Sequence, residues 1–135
     1  MERQILKDKN IRYSRNRIEI LKLLEKSKQP LKITDIIRRI KKKNLSINRA
    51  TVFRIVNLFK EKGILYRLDF GEGQFRYELS SLPHHHHFVC KNCGKILGVN
   101  KCLVSDSWTR ETAMENSFRI LGHRLDFFGL CVKCQ

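Results

Sequence analysis

Long hydrophobic runs are missing from this chain: no stretch of 18 apolar residues occurs, so no segment reads as a membrane-spanning helix. Nor is there a signal-peptide apolar core behind the N-terminus or a lipidation motif, and the expected location is the cytoplasm, with no membrane partner. Acidic residues are scarce, 13 Asp+Glu against 28 Lys+Arg, and the resulting net charge of +15 favours a polyanionic partner. No HExxH pattern is present, which counts against a metal-dependent hydrolase. No internal repeat and no low-complexity tract stand out apart from one run of histidines. Cysteine is present but odd in number, five residues, and an odd count in a reducing compartment argues against a disulfide framework.

With 135 residues there is room for one ordinary domain or two small ones, and 41% hydrophobic residues allow only a modest core. The basic character is uneven. Residues 1–83 carry 21 Lys+Arg against 9 Asp+Glu, while residues 84–135 carry 7 against 4. A first segment that meets nucleic acid and a second with another task fit this asymmetry; a merely solvated basic face is the competing reading.

In the first segment, RYSRNRIEILKLLEKS has Ile18, Leu21 and Leu24 on one helical face with Ser14 as N-cap. KITDIIRRIKKK predicts a second helix, capped by Thr34 and burying Ile36, Ile37 and Ile40. A third runs from about Asn48 to Lys62, with Val52, Ile55, Val56 and Phe59 as its apolar stripe and Gly63 as its stop. ILYRLDF, the turn GEG and QFRYEL then predict a β-hairpin. Three helices and a hairpin constitute a winged helix-turn-helix over residues 1–79, followed by a short linker, residues 80–83.

The outer face of the third helix presents Ala50, Arg54, Asn57 and Glu61, with Phe53 beside them. Arginine bonds guanine bidentately, a small residue permits close approach, and an aromatic ring can touch a thymine methyl. Arg12, Arg15 and Arg17, together with Arg67 and Arg76 on the wing, would then serve phosphates or the minor groove.

Residues 84–135 predict a small α+β unit in the order β-β-α-β-β, with a helix over DSWTRETAMENS capped by Ser105 or Asp106. It is too thin to stand alone, so a zinc clamp and homodimerisation are both expected. The clamp is visible in Cys90/Cys93 and Cys131/Cys134, two Cys-x-x-Cys pairs whose knuckle geometry aims four thiolates at one tetrahedral zinc. Two redox-active pairs are the competing reading, but neither opens a helix after a strand. Cys102 is left over, and a small buried hydrophobe is its ordinary fate.

The run His84–His87 lies mid-chain, unlike a purification tag. In extended backbone its side chains alternate, so His85 and His87 face one way and His84 and His86 the other. One run can serve two metal sites, and imidazole suits zinc, iron, manganese, nickel and copper. Glu78 is the nearest acidic residue toward the first domain; His123, on a later strand, and Asp106 can complete the other set. As a solvated strand end, a surface residue and a helix cap, the same three have ordinary readings.

HHHHFVCKNCGKI, INRATVFRIVNLFKEKGI and HRLDFFGLCVKC resemble the ferric uptake regulator family of bacterial metal-dependent repressors, and the resemblance runs from about Ile11 to Cys134. It implies a dimeric, metal-responsive winged-helix repressor that binds double-stranded operator DNA and is not an enzyme. It assigns Cys90, Cys93, Cys131 and Cys134 to structural zinc, Glu78, His85 and His87 to a hinge sensing site, and His84, His86, Asp106 and His123 to a second site. Ala50, Thr51, Phe53 and Arg54 match the DNA-recognition segment, with Phe53 where tyrosine is common.

Some positions depart from the pattern. The family usually adds a histidine from the second-helix region, yet none precedes His84, and Gly98 stands where a carboxylate usually follows CGK. His86 replaces a commoner aspartate. Cys102 could feed the hinge site, where its thiolate would favour zinc. Zinc is accordingly the favoured regulatory ion, ahead of iron and manganese. A constitutive zinc-stabilised DNA-binding protein without metal sensing is the main alternative.

Overall fold

The computed structural model describes residues 1–135, which separate into two compact units, Met1–Leu82 and Pro83–Gln135. The first unit contains α1 (Glu2–Asp8), α2 (Arg15–Glu25), β1 (Leu31–Lys32), α3 (Ile33–Lys42), α4 (Arg49–Glu61), β2 (Leu65–Leu68) and β3 (Arg76–Leu79). Helix α2 starts where Ser14 accepts a hydrogen bond from the Arg17 amide, and it buries Ile18, Ile20, Leu21, Leu23 and Leu24. Helix α4 starts where Asn48 Oδ1 accepts from the Thr51 amide at 2.8 Å. It ends at Gly63, whose φ of +69° lets the Ile64 amide turn back to the Phe59 carbonyl at 2.8 Å. Its stripe of Val52, Ile55, Val56 and Phe59 is buried in the core of the unit.

Three local features differ from the sequence expectation. Helix α1 has no apolar stripe to announce it; one residue, Leu6, anchors it by sinking into the core at 1% exposure. Thr34 does not cap α3. The Asp35 carboxylate accepts the Lys32 amide at 3.1 Å, and Thr34 already lies inside the first turn, donating to Gln74 Oε1 at 3.4 Å. The hairpin also gains β1 as a third strand, in the order β1-β3-β2, with Leu31 opposite Tyr77 and Lys32 opposite Arg76. Two residues are too few for a period to be read.

Arg76 needs a correction of role. It is 5% exposed, so it is no phosphate contact. Its Nε and Nη2 each lie 2.7 Å from a Glu72 carboxylate oxygen, and Nη1 donates to the Pro30 carbonyl at 3.2 Å. This bidentate pair ties the turn of the wing to the chain entering β1. Arg67 is exposed, its guanidinium 4.2 Å above the Phe75 ring.

The second unit contains β4 (His86–Cys90), β5 (Ile96–Val99), α5 (Asp106–Glu115) and β6 (Asp126–Gly129). Its sheet has the order β5-β4-β6, with β5 antiparallel and β6 parallel to β4. Ser105, not Asp106, caps α5, accepting from the Trp108 amide at 3.2 Å. A single strand, β6, closes the unit, where the sequence allowed one or two. His123 lies in the irregular segment before β6, a correction to its expected place on a strand. The buried apolar side chains here are few, Val89, Cys90 and Ile96, and α5 buries none. No helix of the chain is long and apolar enough to cross a membrane.

Removing the Glu72 carboxylate should leave the buried Arg76 guanidinium short of its partner. Glu72→Ala is expected to destabilise the first unit by about 2–3 kcal/mol, in the range of a charge-assisted hydrogen-bonded pair, measured by denaturant unfolding of wild type and variant.

Candidate metal centres

Parallel pairing of β6 with β4 brings the two cysteine knuckles together, because Cys90 ends one strand opposite Gly129, two residues before Cys131. The first knuckle closes by the Gly94 amide donating to the Cys90 carbonyl at 3.0 Å, with Gly94 at φ +74°. The second closes by the Cys134 amide donating to the Cys131 carbonyl at 2.9 Å. All four Sγ atoms lie within 4.8 Å of one another, and Cys93 Sγ is 3.7 Å from Cys131 Sγ. A tetrahedral ion with metal–sulfur bonds of about 2.3 Å has sulfur–sulfur edges of about 3.8 Å. The donor set therefore fits zinc in both chemistry and size.

The thiols are unequal. Hydrogen bonds from the backbone at Cys93, and then at Cys131, lower the Cys90 thiol to about 6. Cys134 rises to about 11; the Asn92 side chain pulls it down but is outweighed by the Cys131 thiol, burial, and the thiols of Cys90 and Cys93. Four neighbouring thiolates cannot share this space without a cation.

The alternation of the histidine run is present. His85 and His87 have ring centroids 4.7 Å apart, and His84 Nε2 lies 3.2 Å from His86 Nε2. In the first pair His85 Nδ1 lies 2.7 Å from the Pro83 carbonyl and His87 Nδ1 lies 3.3 Å from Asp126 Oδ1. Asp126 in turn accepts from Arg124 Nε at 2.7 Å. Carboxylate or carbonyl contacts at Nδ1 fix a ring's tautomer and direct its other nitrogen to an ion. Gly98 lies opposite His87 on β5, and a Cβ there would sit 4.0 Å from the His85 ring, in open van der Waals range. Glu78 belongs to the first unit, buried on β3 opposite Tyr66 of β2.

The second pair collects a different company from the one expected. His84, His86, Cys102 and His123 place one donor atom each within 4.8 Å of all the others. Cys102 Sγ lies 3.3 Å from His123 Nε2. Asp106 is not in this group; capping by Ser105 fixes it in the first turn of α5, exposed. Burial, then the neighbouring imidazoles of His84 and His123, lowers the pKa of His86 and favours its neutral, ligating form. The sequence reading missed Asp126, whose only signal is its register opposite His87, and it left Cys102 with the wrong companions.

On the first unit, Ala50, Phe53, Arg54 and Asn57 are exposed on α4 and Thr51 is half-buried. Arg12 and Arg15 are exposed, while Arg17 donates through Nη1 to the Arg12 carbonyl and so braces the backbone before α2. Arg49, which the sequence reading did not single out, holds its guanidinium 5.7 Å from the Phe53 ring. On the second unit, Phe88, Leu97 and Phe127 lie in register across the sheet and are exposed, beside a groove of about 480 Å³ reaching Phe128, Leu130 and Val132.

The sequence profile of the ferric uptake regulator family matches residues 8–128. The ferric uptake regulation protein of Neisseria gonorrhoeae is 34% identical over 131 residues, covering 96% of this chain and 90% of that protein. The crystal structure of the Vibrio cholerae ferric uptake regulator matches with a TM-score of 0.83 at 29% identity, over 95% of this chain and 98% of that one. A zinc-bound manganese uptake regulator matches with a TM-score of 0.77 at 28% identity, over 96% and 98% of the two chains.

Metal-free protein should lose stability in acid. The Cys90 thiol and the His86 imidazolium both titrate below their ordinary values when folded, so each favours the fold at high pH and ceases to do so as pH falls through its folded pKa, about 6 for Cys90. Chelator-treated protein is therefore expected to melt at a lower temperature at about pH 5 than at about pH 8, and Cys90→Ser should flatten that dependence in a thermal melt.

Proposed function

Because the chain belongs to the ferric uptake regulator family, whose members are metal-responsive transcriptional regulators and not enzymes, we propose that the histidine run leading into β4 is its metal sensor and operator DNA its output. The observation that carries this is the division of four consecutive imidazoles into two donor sets, His84 with His86 and His85 with His87. Cys90, Cys93, Cys131 and Cys134 hold structural zinc and clamp the second unit. His85 and His87 are the ligands of the sensing ion, with Glu78 as the acidic ligand that the family pattern assigns to it. Asp126 orients His87.

The first unit grips DNA through the outer face of α4. Ala50, Phe53, Arg54 and Asn57 face base edges, Thr51 supports Arg54, and Arg12 and Arg15 meet phosphates. A second copy of the chain covers the exposed row of Phe88, Leu97 and Phe127, since an apolar patch of this kind on a unit with so small a core calls for a partner. The dimer then presents two recognition helices to the half-sites of a pseudo-palindromic operator.

Metal acts by binding one pose of the two units more tightly than the others, and it shifts the population toward DNA-competent dimers. Couplings of this kind amount to about 10- to 100-fold, and operator must tighten the metal by the same factor. The balance of nitrogen over carboxylate donors favours zinc over iron and manganese as the regulatory ion.

Two measurements test this. Operator affinity of zinc-clamped protein should rise by about 10- to 100-fold on adding regulatory metal, and His85→Ala with His87→Ala should abolish the rise while the thermal melt stays intact; an unchanged response would refute the assignment. Gly98→Glu, where a Cβ meets only the His85 ring, should add a hard oxygen donor and raise manganese affinity relative to zinc, read by competition against a fluorescent chelator.

A further inference from the structure

The geometry points to Cys102 as the sulfur ligand of a closed, four-coordinate site with His84, His86 and His123, selective for zinc-like ions. This inference deepens the metal-sensing reading and rests on it. The family pattern supplies a carboxylate to this side of the strand, and here that residue, Asp106, is held in the first turn of α5 by the Ser105 cap. Cys102 stands in the irregular segment between β5 and α5, half-buried, with its thiol 3.3 Å from His123 Nε2 and 3.7 Å from the Val104 carbonyl.

Distances decide between a ligand set and a chance pair of hydrogen bonds. Metal–nitrogen bonds of about 2.0–2.1 Å give nitrogen–nitrogen edges of about 3.3–3.4 Å in a tetrahedron, and a nitrogen–sulfur edge of about 3.5–3.6 Å. The observed separations are 3.2 Å for His84 Nε2 to His86 Nε2 and 3.3 Å for His123 Nε2 to Cys102 Sγ. Both edges are within a few tenths of an ångström of the ion-bound figure, and all four donor atoms lie within 4.8 Å of one another. Hydrogen bonds would satisfy the two pairs separately and would not require them to converge.

Donor chemistry sets the preference. Three imidazoles and one thiolate are borderline-to-soft, and no carboxylate belongs to the set, so zinc and cobalt(II) are favoured and manganese is disfavoured. Four protein ligands also leave no open position, which fits an ion that is held and not one that performs chemistry. On binding, the Cys102 thiol gives its proton to solvent as the sulfur–metal bond forms.

The test uses full-length protein with its structural zinc in place and reads Cys102 directly, by alkylation with iodoacetamide followed by peptide mass mapping. Excess zinc or cobalt(II) should slow alkylation of Cys102 by at least about tenfold, manganese should not, and His123→Ala should remove the protection. Cobalt(II) should also give a sulfur-to-metal charge-transfer band that Cys102→Ser loses, while its thermal melt in chelator matches wild type. Alkylation indifferent to zinc, or identical cobalt spectra with and without the thiol, would overturn the proposal. Metal-responsive operator binding with an unprotected Cys102 sinks this inference alone; a protected Cys102 with operator binding indifferent to metal sinks the sensing reading alone.

Discussion

An extended strand turns each successive side chain to the opposite face, and that two-residue period organises the second unit. Four adjacent imidazoles, two just before β4 and two on it, cannot all meet one ion. They divide into His84 with His86 and His85 with His87, and the neighbouring elements supply each pair with different companions. Asp126 on β6 reaches the odd-numbered pair; Cys102 and His123, both from irregular segments, reach the even-numbered pair. One strand thereby serves a set with carboxylate support and a set with sulfur.

The unit that carries this strand has almost no core of its own. Val89, Cys90 and Ile96 are its buried apolar side chains, two imidazoles occupy places where most sheets bury aliphatic residues, and α5 lies with no residue buried. A tetrathiolate ion held by the four cysteines would compensate, since zinc binding is folding free energy when the ligands are far apart in sequence. The 37 residues from Gly94 to Leu130 are enclosed between the two knuckles, and β5, α5 and β6 lie within that loop. The cysteine group closes on β4, the same strand that carries His86 and His87.

Legibility in the sequence followed the range of the interaction. Elements with a period or a cap were readable: the stripe of α4, the Ser14 and Asn48 caps, Gly63 at a helix end, and the parity of the histidines. The two cysteine pairs were readable because each knuckle is a local turn. What failed was tertiary. Arg76 reads as a basic wing residue until Glu72 and the Pro30 carbonyl are placed beside it. Asp106 reads as a ligand because carboxylates often are; whether Ser105 or Asp106 caps the helix decides the matter, and both are good caps. Cys102 and His123 are 21 residues apart in segments without periodicity, and no local rule joins them. Asp126 is joined to His87 only by a parallel register, which a sequence does not display.

The two imidazole pairs are not equivalent in what they can control. A ligand can shift a conformational equilibrium only through its differential affinity for the states. Every member of the sulfur-containing set lies between His84 and His123, inside one unit, so an ion there stabilises that unit whatever the pose of the DNA-binding half. An ion that also drew on Glu78, as proposed for the other set, would join donors from both sides of the short segment after β3, and its occupancy would be tied to pose. Under the proposed assignment parity would separate two tasks: one set of rings would hold the platform and the other would report to the operator. On that reading a soft, tightly held ion suits the even-numbered rings with their thiol, and the more exchangeable ion belongs to His85 and His87.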